Sequence, residues 1–172
     1  MVVFYRRMPR FEYLKPQSFQ DVLELLQDDT PNRYRVFAGG TDLMDQLKQR
    51  KIDVPETVID LKGLAELDYI KFDKSTGLRI GALTTVTDVA KSPEIEQHYQ
   101  ALFQGAREIA SIQIQNRATI TGNICNAVSS ADSAPPLLAL GAEVICASGK
   151  GERTIKIEDF FTGPGKTVLQ PD

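Results

Sequence analysis

The feature that most restricts the fold of this chain is the run Val36-Phe37-Ala38-Gly39-Gly40-Thr41-Asp42-Leu43. An apolar, β-prone stretch meets two adjacent glycines, and a helical pattern starts immediately afterwards. A strand that delivers into a helix through glycines leaves several backbone N–H groups unpaired and pointing the same way. Without Cβ atoms, the loop also lets a bulky anion come close. A pyrophosphate fits such a turn without help from lysine or arginine, and the loop has neither. The run is not the Walker sequence, which ends Gly-Lys-Ser/Thr, nor the Gly-x-Gly-x-x-Gly of a dinucleotide-binding turn. The plainer alternative is an ordinary strand-to-helix connection with Thr41 or Asp42 as the N-cap. Taken alone, the loop leaves both readings open.

A second segment has similar chemistry. Arg117-Ala118-Thr119-Ile120-Thr121-Gly122-Asn123-Ile124 sets small and hydroxylic residues around a glycine, which again permits close backbone approach to a ligand. Ser129-Ser130-Ala131-Asp132-Ser133-Ala134-Pro135-Pro136 follows, alternating hydrogen-bonding and apolar side chains. Asp132 is placed either to accept from a ribose hydroxyl or adenine amino group, or to cap the helix that Pro135-Pro136 opens. The two roles can coexist.

The remaining pattern alternates strands and helices. Phe11 to Leu14 predicts a short strand stopped by Pro16, and Ser18 with Asp21 predicts a capping box ahead of Val22, Leu25 and Leu26. Tyr34–Ala38 predicts a strand and Asp42–Arg50 a helix. Thr57–Leu61 is a further strand, crossing into a second unit. Leu64–Phe72 and Leu78–Ala82 predict a hairpin about Asp73–Gly77. A short helix at Thr85–Lys91 and one long helix from Pro93 to about Ile109 come next. Ala118–Thr121 reads as β-like. Ala142–Ala147 and Thr154–Ile157 predict a second hairpin about Gly149-Lys150-Gly151.

Composition excludes several functions. A net charge of −3 and a pI near 5.3 argue against nucleic acid or an anionic membrane surface as partner. The basic cluster Arg6, Arg7 and Arg10 is short and interrupted by Pro9. No apolar run reaches the length of a membrane span, and the charges of the first residues follow the apolar stretch, unlike a signal peptide. Cys125 and Cys146 are expected as reduced thiols in a cytoplasmic protein, with Cys125 a small buried hydrophobe. With the single histidine, His98, they fall short of a four-ligand metal set. His98 is expected at the surface, Phe160-Phe161 as a packing anchor, and no nucleophile–base constellation is present.

The two glycine segments together resemble the FAD-binding subunits of the molybdenum hydroxylases, the xanthine dehydrogenase and carbon monoxide dehydrogenase medium-subunit family. That family carries an Ala-Gly-Gly-Thr/His-Ser/Asp-Leu loop, here Ala38 to Leu43, and a Thr-Ile-Gly-Gly-Asn/Asp loop, here Thr119 to Asn123. Phe11-Glu12-Tyr13, Arg79-Ile80-Gly81-Ala82, Thr84 to Asp88, Asp132 to Leu137 and Phe160-Phe161-Thr162-Gly163 also match, in the expected order. Thr121 departs from the pattern by replacing the first glycine of the second loop, and its β-branch favours strand geometry.

The resemblance implies an α+β, PCMH-type FAD-binding fold. Two α/β subdomains, residues 1–56 and 57–172, would hold FAD between them. Ala38, Gly39, Gly40, Thr41, Asp42 and Leu43 would line the diphosphate from one side, and Thr119, Gly122 and Asn123 from the other. Asp132 would reach the adenosine half, and Ile109 and Ala110 would pack near the flavin. No residue of the chain would be catalytic, and none would bind a metal. Molybdopterin would sit on a large partner subunit and [2Fe–2S] centres on a small one, with electrons leaving the flavin for NAD⁺ or another acceptor. The family continues into a further domain that helps cover the flavin ring. This sequence closes at Val168-Leu169-Gln170-Pro171-Asp172, so part of that cover is expected to be missing. Two alternatives remain at this stage. One is a noncatalytic nucleotide-binding or assembly module that has lost flavin; the other is a free-standing flavin oxidoreductase of the same fold.

Overall fold

The computed structural model describes residues 7–169; Arg6 of the basic cluster and Gln170 to Asp172 lie outside the described residues. In chain order, β1 (Glu12–Leu14), α1 (Phe19–Leu25), β2 (Tyr34–Phe37), α2 (Thr41–Gln49) and β3 (Thr57–Asp60) come first. The three strands form a parallel sheet of order β1-β3-β2. Every residue of the central strand β3 is buried, the continuous pattern that a parallel strand covered on both faces requires. The division expected at 56/57 falls directly before this strand, which pairs with β1 and β2.

α1 starts as its sequence predicts. The Ser18 hydroxyl accepts from the Asp21 N–H, and the Asp21 carboxylate accepts from the Ser18 N–H, both at 3.1 Å. This aims Val22 into a core with Ile59, Leu61, Leu64 and Leu83.

The hairpin of β4 (Ile70–Asp73) and β5 (Gly77–Ile80) follows. Its first strand is shorter than the predicted Leu64–Phe72, because the Leu67 and Asp68 N–H groups bond back to Leu64 and Ala65 in a 3₁₀ turn. Next come α3 (Val86–Val89), α4 (Pro93–His98), α5 (Gln100–Glu108), α6 (Ile112–Gln115) and α7 (Ile120–Asn126). Their buried residues, among them Val86, Val89, Ile95, Leu102, Phe103 and Ile120, form a second core, on which Ile70 and Ile80 of the hairpin also pack.

The chain closes through α8 (Ala134–Ala139), β6 (Glu143–Ser148), β7 (Gly151–Lys156), α9 (Ile157–Phe160), β8 (Phe161–Gly163) and β9 (Lys166–Thr167). A third core joins Ile124, Ile157 and Phe160. Phe160 is fully buried and meets the Phe161 ring edge-on at 5.5 Å, as expected of a packing anchor.

Two predicted elements are corrected. The single helix expected from Pro93 to Ile109 is two helices, broken at Tyr99, whose φ of −135° and ψ of 51° leave the helical region. The break seats Tyr99 edge-on to Phe72, while His98 stacks on the same ring at 4.5 Å. The β-like stretch Ala118–Thr121 runs instead into helix α7. Only an isolated bridge between Thr85 and Thr119 remains of a strand there. Among the described residues, no helix is long and apolar enough to cross a membrane.

Candidate functional site

The first glycine loop lies between the end of β2 and the start of α2. Gly40 occupies the N-cap position with φ of 77°, a left-handed conformation, and a Cβ there would overlap the Phe37 ring. Only glycine meets both demands without strain. Thr41 and Asp42, weighed as caps, are therefore the first two residues inside the helix. The first intrahelical bond runs from the Met44 N–H to the Gly40 carbonyl at 3.0 Å. The N–H groups ahead of it have no acceptor within the helix, the usual state of a helix start, and the helix dipole adds partial positive charge at the same end.

Gly39 explains how the two glycine segments meet. A Cβ on Gly39 would overlap the Arg117 carbonyl oxygen and lie 2.9 Å from the Ala118 Cα. The backbones of the two loops are thus in direct contact, a closeness that only glycine permits. On the opposite side of the second loop, the Val86 N–H donates to the Ala118 carbonyl at 2.8 Å and fixes its course.

Within that second loop, Thr119 is buried and its hydroxyl accepts from the Gly122 N–H at 2.9 Å, capping α7. This local bond overrides the β preference of Thr119, Ile120 and Thr121. Thr121, Gly122 and Asn123 then fall in the first turn of α7. Asn123 turns inward, its side-chain oxygen accepting from the buried Ser133 hydroxyl at 2.5 Å. Thr119→Val removes the cap acceptor but keeps the shape, and should destabilise the fold by about 1 kcal/mol. The expected reading is a thermal midpoint lowered by roughly 2–4 °C; an unchanged midpoint would show that the cap contributes nothing.

A charged group that the sequence reading did not single out completes the site. Asp60, at the end of β3, is 3% exposed. It accepts from the Tyr13 hydroxyl, from the Lys62 N–H at 2.9 Å and from the Lys62 ammonium at 2.7 Å. The Lys62 ammonium also donates to the Ala38 carbonyl at 3.3 Å and lies 3.3 Å from the centre of the Phe37 ring. Burial pushes the Asp60 carboxyl up, but the Lys62 and Tyr13 hydrogen bonds outweigh it and hold the group below the usual carboxylate range. Burial pulls the Lys62 ammonium down, and the positive charges of Arg117 and Lys15 add to that, against the pull of Asp60. The signal available in the sequence was an Asp-x-Lys pair ending an otherwise apolar strand, where a buried charge requires a partner.

These elements enclose a cavity of about 290 Å³ whose walls include Ala38, Gly39, Lys62, Thr85, Arg117 and Thr119. It brings together the start of the first loop and the head of the second. Gly40, Thr41, Leu43, Gly122 and Asn123 are not among the residues that line it, and Asp42 is exposed. Ile109 is buried in the second core, and Ala110 is exposed with φ of 47°. The carbonyls of Arg107 and Ile109 both accept from the buried Gln115 side chain, at 3.1 and 2.8 Å. Asp132 is exposed; Ser133, not Asp132, holds the N-cap position of α8, with no side-chain cap bond. The Asp132 backbone carbonyl faces Gly105, where a Cβ would lie 2.9 Å away. Cys125 is exposed, unlike the buried hydrophobe expected, yet the desolvating protein around its sulfur pushes the thiol up to about 11. At neutral pH it is therefore no thiolate nucleophile. A larger, shallow groove of about 520 Å³ beside Leu14, Asp21, Glu24 and Tyr34 involves neither glycine loop.

A diphosphate matches this arrangement: two glycine-bearing backbones in contact, a helix start, and two cations on a small cavity. The comparisons identify the family. Residues 9–172 match the family described as the FAD binding domain in molybdopterin dehydrogenase. The chain is 36% identical over 168 residues to the nicotinate dehydrogenase FAD-subunit of Eubacterium barkeri, covering 96% of this chain and 56% of that protein. It is 39% identical over 160 residues to the xanthine dehydrogenase FAD-binding subunit of Escherichia coli O157:H7, covering 93% and 54%. The structure is similar to a chain of carbon monoxide dehydrogenase from Hydrogenophaga pseudoflava, with a TM-score of 0.90 and 32% identity over 96% of this chain and 56% of that one. Quinoline 2-oxidoreductase from Pseudomonas putida 86 gives a TM-score of 0.89 at 28% identity, again over 96% and 56%. The chain spans about half the length of the curated relatives it matches. The α+β, PCMH-type fold expected from the motifs is the fold observed. The chain belongs to the FAD-binding domains of the molybdopterin dehydrogenases.

Proposed function

We propose that this chain holds FAD in the cleft between its two glycine loops and serves as the electron-transferring part of a molybdenum hydroxylase complex, an oxidoreductase. The observation that supports this best is the contact of Gly39 with the Arg117–Ala118 backbone, which sets both loops at the edge of one cavity. Ala38, Gly39, Gly40, Thr41, Asp42 and Leu43 would hold the diphosphate from the α2 side, through backbone N–H groups and the helix dipole. Thr119, Gly122 and Asn123 would hold it from the α7 side. In the same reading, Asp132 serves the adenosine half, and Ile109 and Ala110 lie beside the flavin. A two-subdomain arrangement with the cleft between the parts belongs to this proposal; a boundary at residue 56 would cut β3, the central strand of the first sheet, away from β1 and β2.

When bound, the flavin supplies the electron-carrying chemistry. The side chains of this chain bind and orient it and take no acid–base role. Substrate oxidation would take place at molybdopterin on a large subunit, with [2Fe–2S] centres on a small subunit delivering electrons and NAD⁺ or another acceptor removing them. The family membership and the multi-subunit names of relatives such as the carbon monoxide dehydrogenase medium chain support this reading.

The test is an absorbance spectrum after FAD is added to the purified chain and the excess removed. A retained flavin band near equimolar amount is the expected result. A chain that retains no flavin, both alone and after co-expression with molybdopterin and iron–sulfur subunits, would overturn the proposal.

A further inference from the structure

We propose that Lys62 and Arg117 are the two cations that contact the FAD diphosphate, one reaching in from the end of β3 and the other from the head of the second loop. This rests on the FAD reading above and assigns the positive charge that the first glycine loop lacks.

The geometry of Lys62 carries the argument. An ammonium has three N–H donors and no acceptor. Two are spent on the protein, at the Asp60 carboxylate and the Ala38 carbonyl. The Phe37 ring covers another side of the group. The side chain nevertheless keeps 30% exposure and forms part of the cavity wall beside Gly39. An oxygen that enters the cavity can therefore approach the exposed side of the ammonium. Because Asp60, Ala38 and Phe37 already fix the ammonium, little side-chain freedom is lost when that oxygen arrives.

Arg117 supplies the second cation. It lines the same cavity, and its carbonyl is the atom against which Gly39 packs. Among the described residues, no carboxylate forms an ion pair with its guanidinium. It also lies close enough to Lys62 for its charge to disfavour the ammonium. Two cations that repel each other across a small cavity are relieved by an anion between them. A diphosphate carries the charge and the spread of oxygens to meet both. Asp68 also lines this cavity and Asp60 pairs with Lys62, so the two cations act as local donors to an anion and not through a large excess of positive charge.

The experiment titrates the full chain with FAD and separately with ADP, at low and high ionic strength, for wild type, Lys62→Gln, Lys62→Arg and Arg117→Gln. Each neutral variant is expected to bind FAD and ADP about 10–100-fold more weakly at low salt, the effect of one charge-assisted hydrogen bond. Its salt dependence should be shallower than that of the wild type. Lys62→Arg should recover much of the loss. If Lys62→Gln proves unfolded by circular dichroism, Arg117→Gln decides alone, since that side chain is exposed. Wild type that binds both ligands while the folded neutral variants bind them equally well would overturn the cation assignment and leave the FAD reading intact. Wild type that binds neither ligand, both alone and after co-expression with molybdopterin and iron–sulfur subunits, would overturn both.

Discussion

Gly39→Val should abolish FAD retention and lower the thermal midpoint by roughly 6–12 °C, if overpacking of this kind costs about 3 kcal/mol. The added side chain would enter the Arg117 carbonyl and crowd the Ala118 Cα, both of them backbone atoms. No rotamer change can relieve such a clash; the loops must part. Their separation removes the common edge of the cavity, so binding and stability should fall together. Gly149→Ala, outside both glycine loops, is the control. Its Cβ would meet only the Gln27 side chain, which can turn aside. The checks are a thermal melt and a flavin spectrum on both variants. A Gly39→Val chain that melts as wild type does and keeps its flavin would refute the loop contact.

Asp60→Asn is expected to cost roughly 2 kcal/mol near neutral pH. That is below the roughly 3–5 kcal/mol of a fully buried pair, because Lys62 is partly exposed and solvent screens it. Asparagine can still accept from the Tyr13 hydroxyl, so the loss isolates the missing negative charge beneath the Lys62 ammonium. The pH dependence follows from the direction of the shift. The folded Asp60 carboxyl lies below its ordinary value, so its contribution is complete above about pH 4, the unfolded value. It disappears as the pH falls through the lower, folded value. Urea unfolding of both proteins should therefore show a gap at neutral pH that closes in acid. A gap independent of pH would mean that the charge of Asp60 is not what stabilises the site.

Local chemistry was readable from the sequence. The Ser18–Asp21 capping box depends on residues three positions apart, and it forms as predicted. Thr85 and Asp88 form a second such box at the start of α3, where the sequence reading expected a helix start but named no box. At Thr119 two local preferences compete: the run Thr119-Ile120-Thr121 favours strand, while the Thr119 hydroxyl favours a cap. The cap prevails because the Gly122 N–H is within its reach. The break at Tyr99 depends on Phe72, which comes from another hairpin, and no periodicity within residues 93–109 could announce it. Lys62 escaped notice for a similar reason. It lies 24 residues beyond Ala38 in the chain, and only the parallel pairing of β2 with β3 brings the two together. The glycine loops were legible as motifs, but their mutual contact is a property of the assembled fold.

The Phe37 ring lies under Gly40 and against the Lys62 ammonium at the same time. Positions 37, 40 and 62 therefore cannot drift independently. A smaller residue at 37 would open room for a side chain at 40 and at once remove the surface on which the ammonium rests. Substitutions at these three positions should be strongly non-additive when combined, and across related sequences they should change as a set. The support of the Lys62 ammonium is thus one physical unit, although its parts are scattered along the chain.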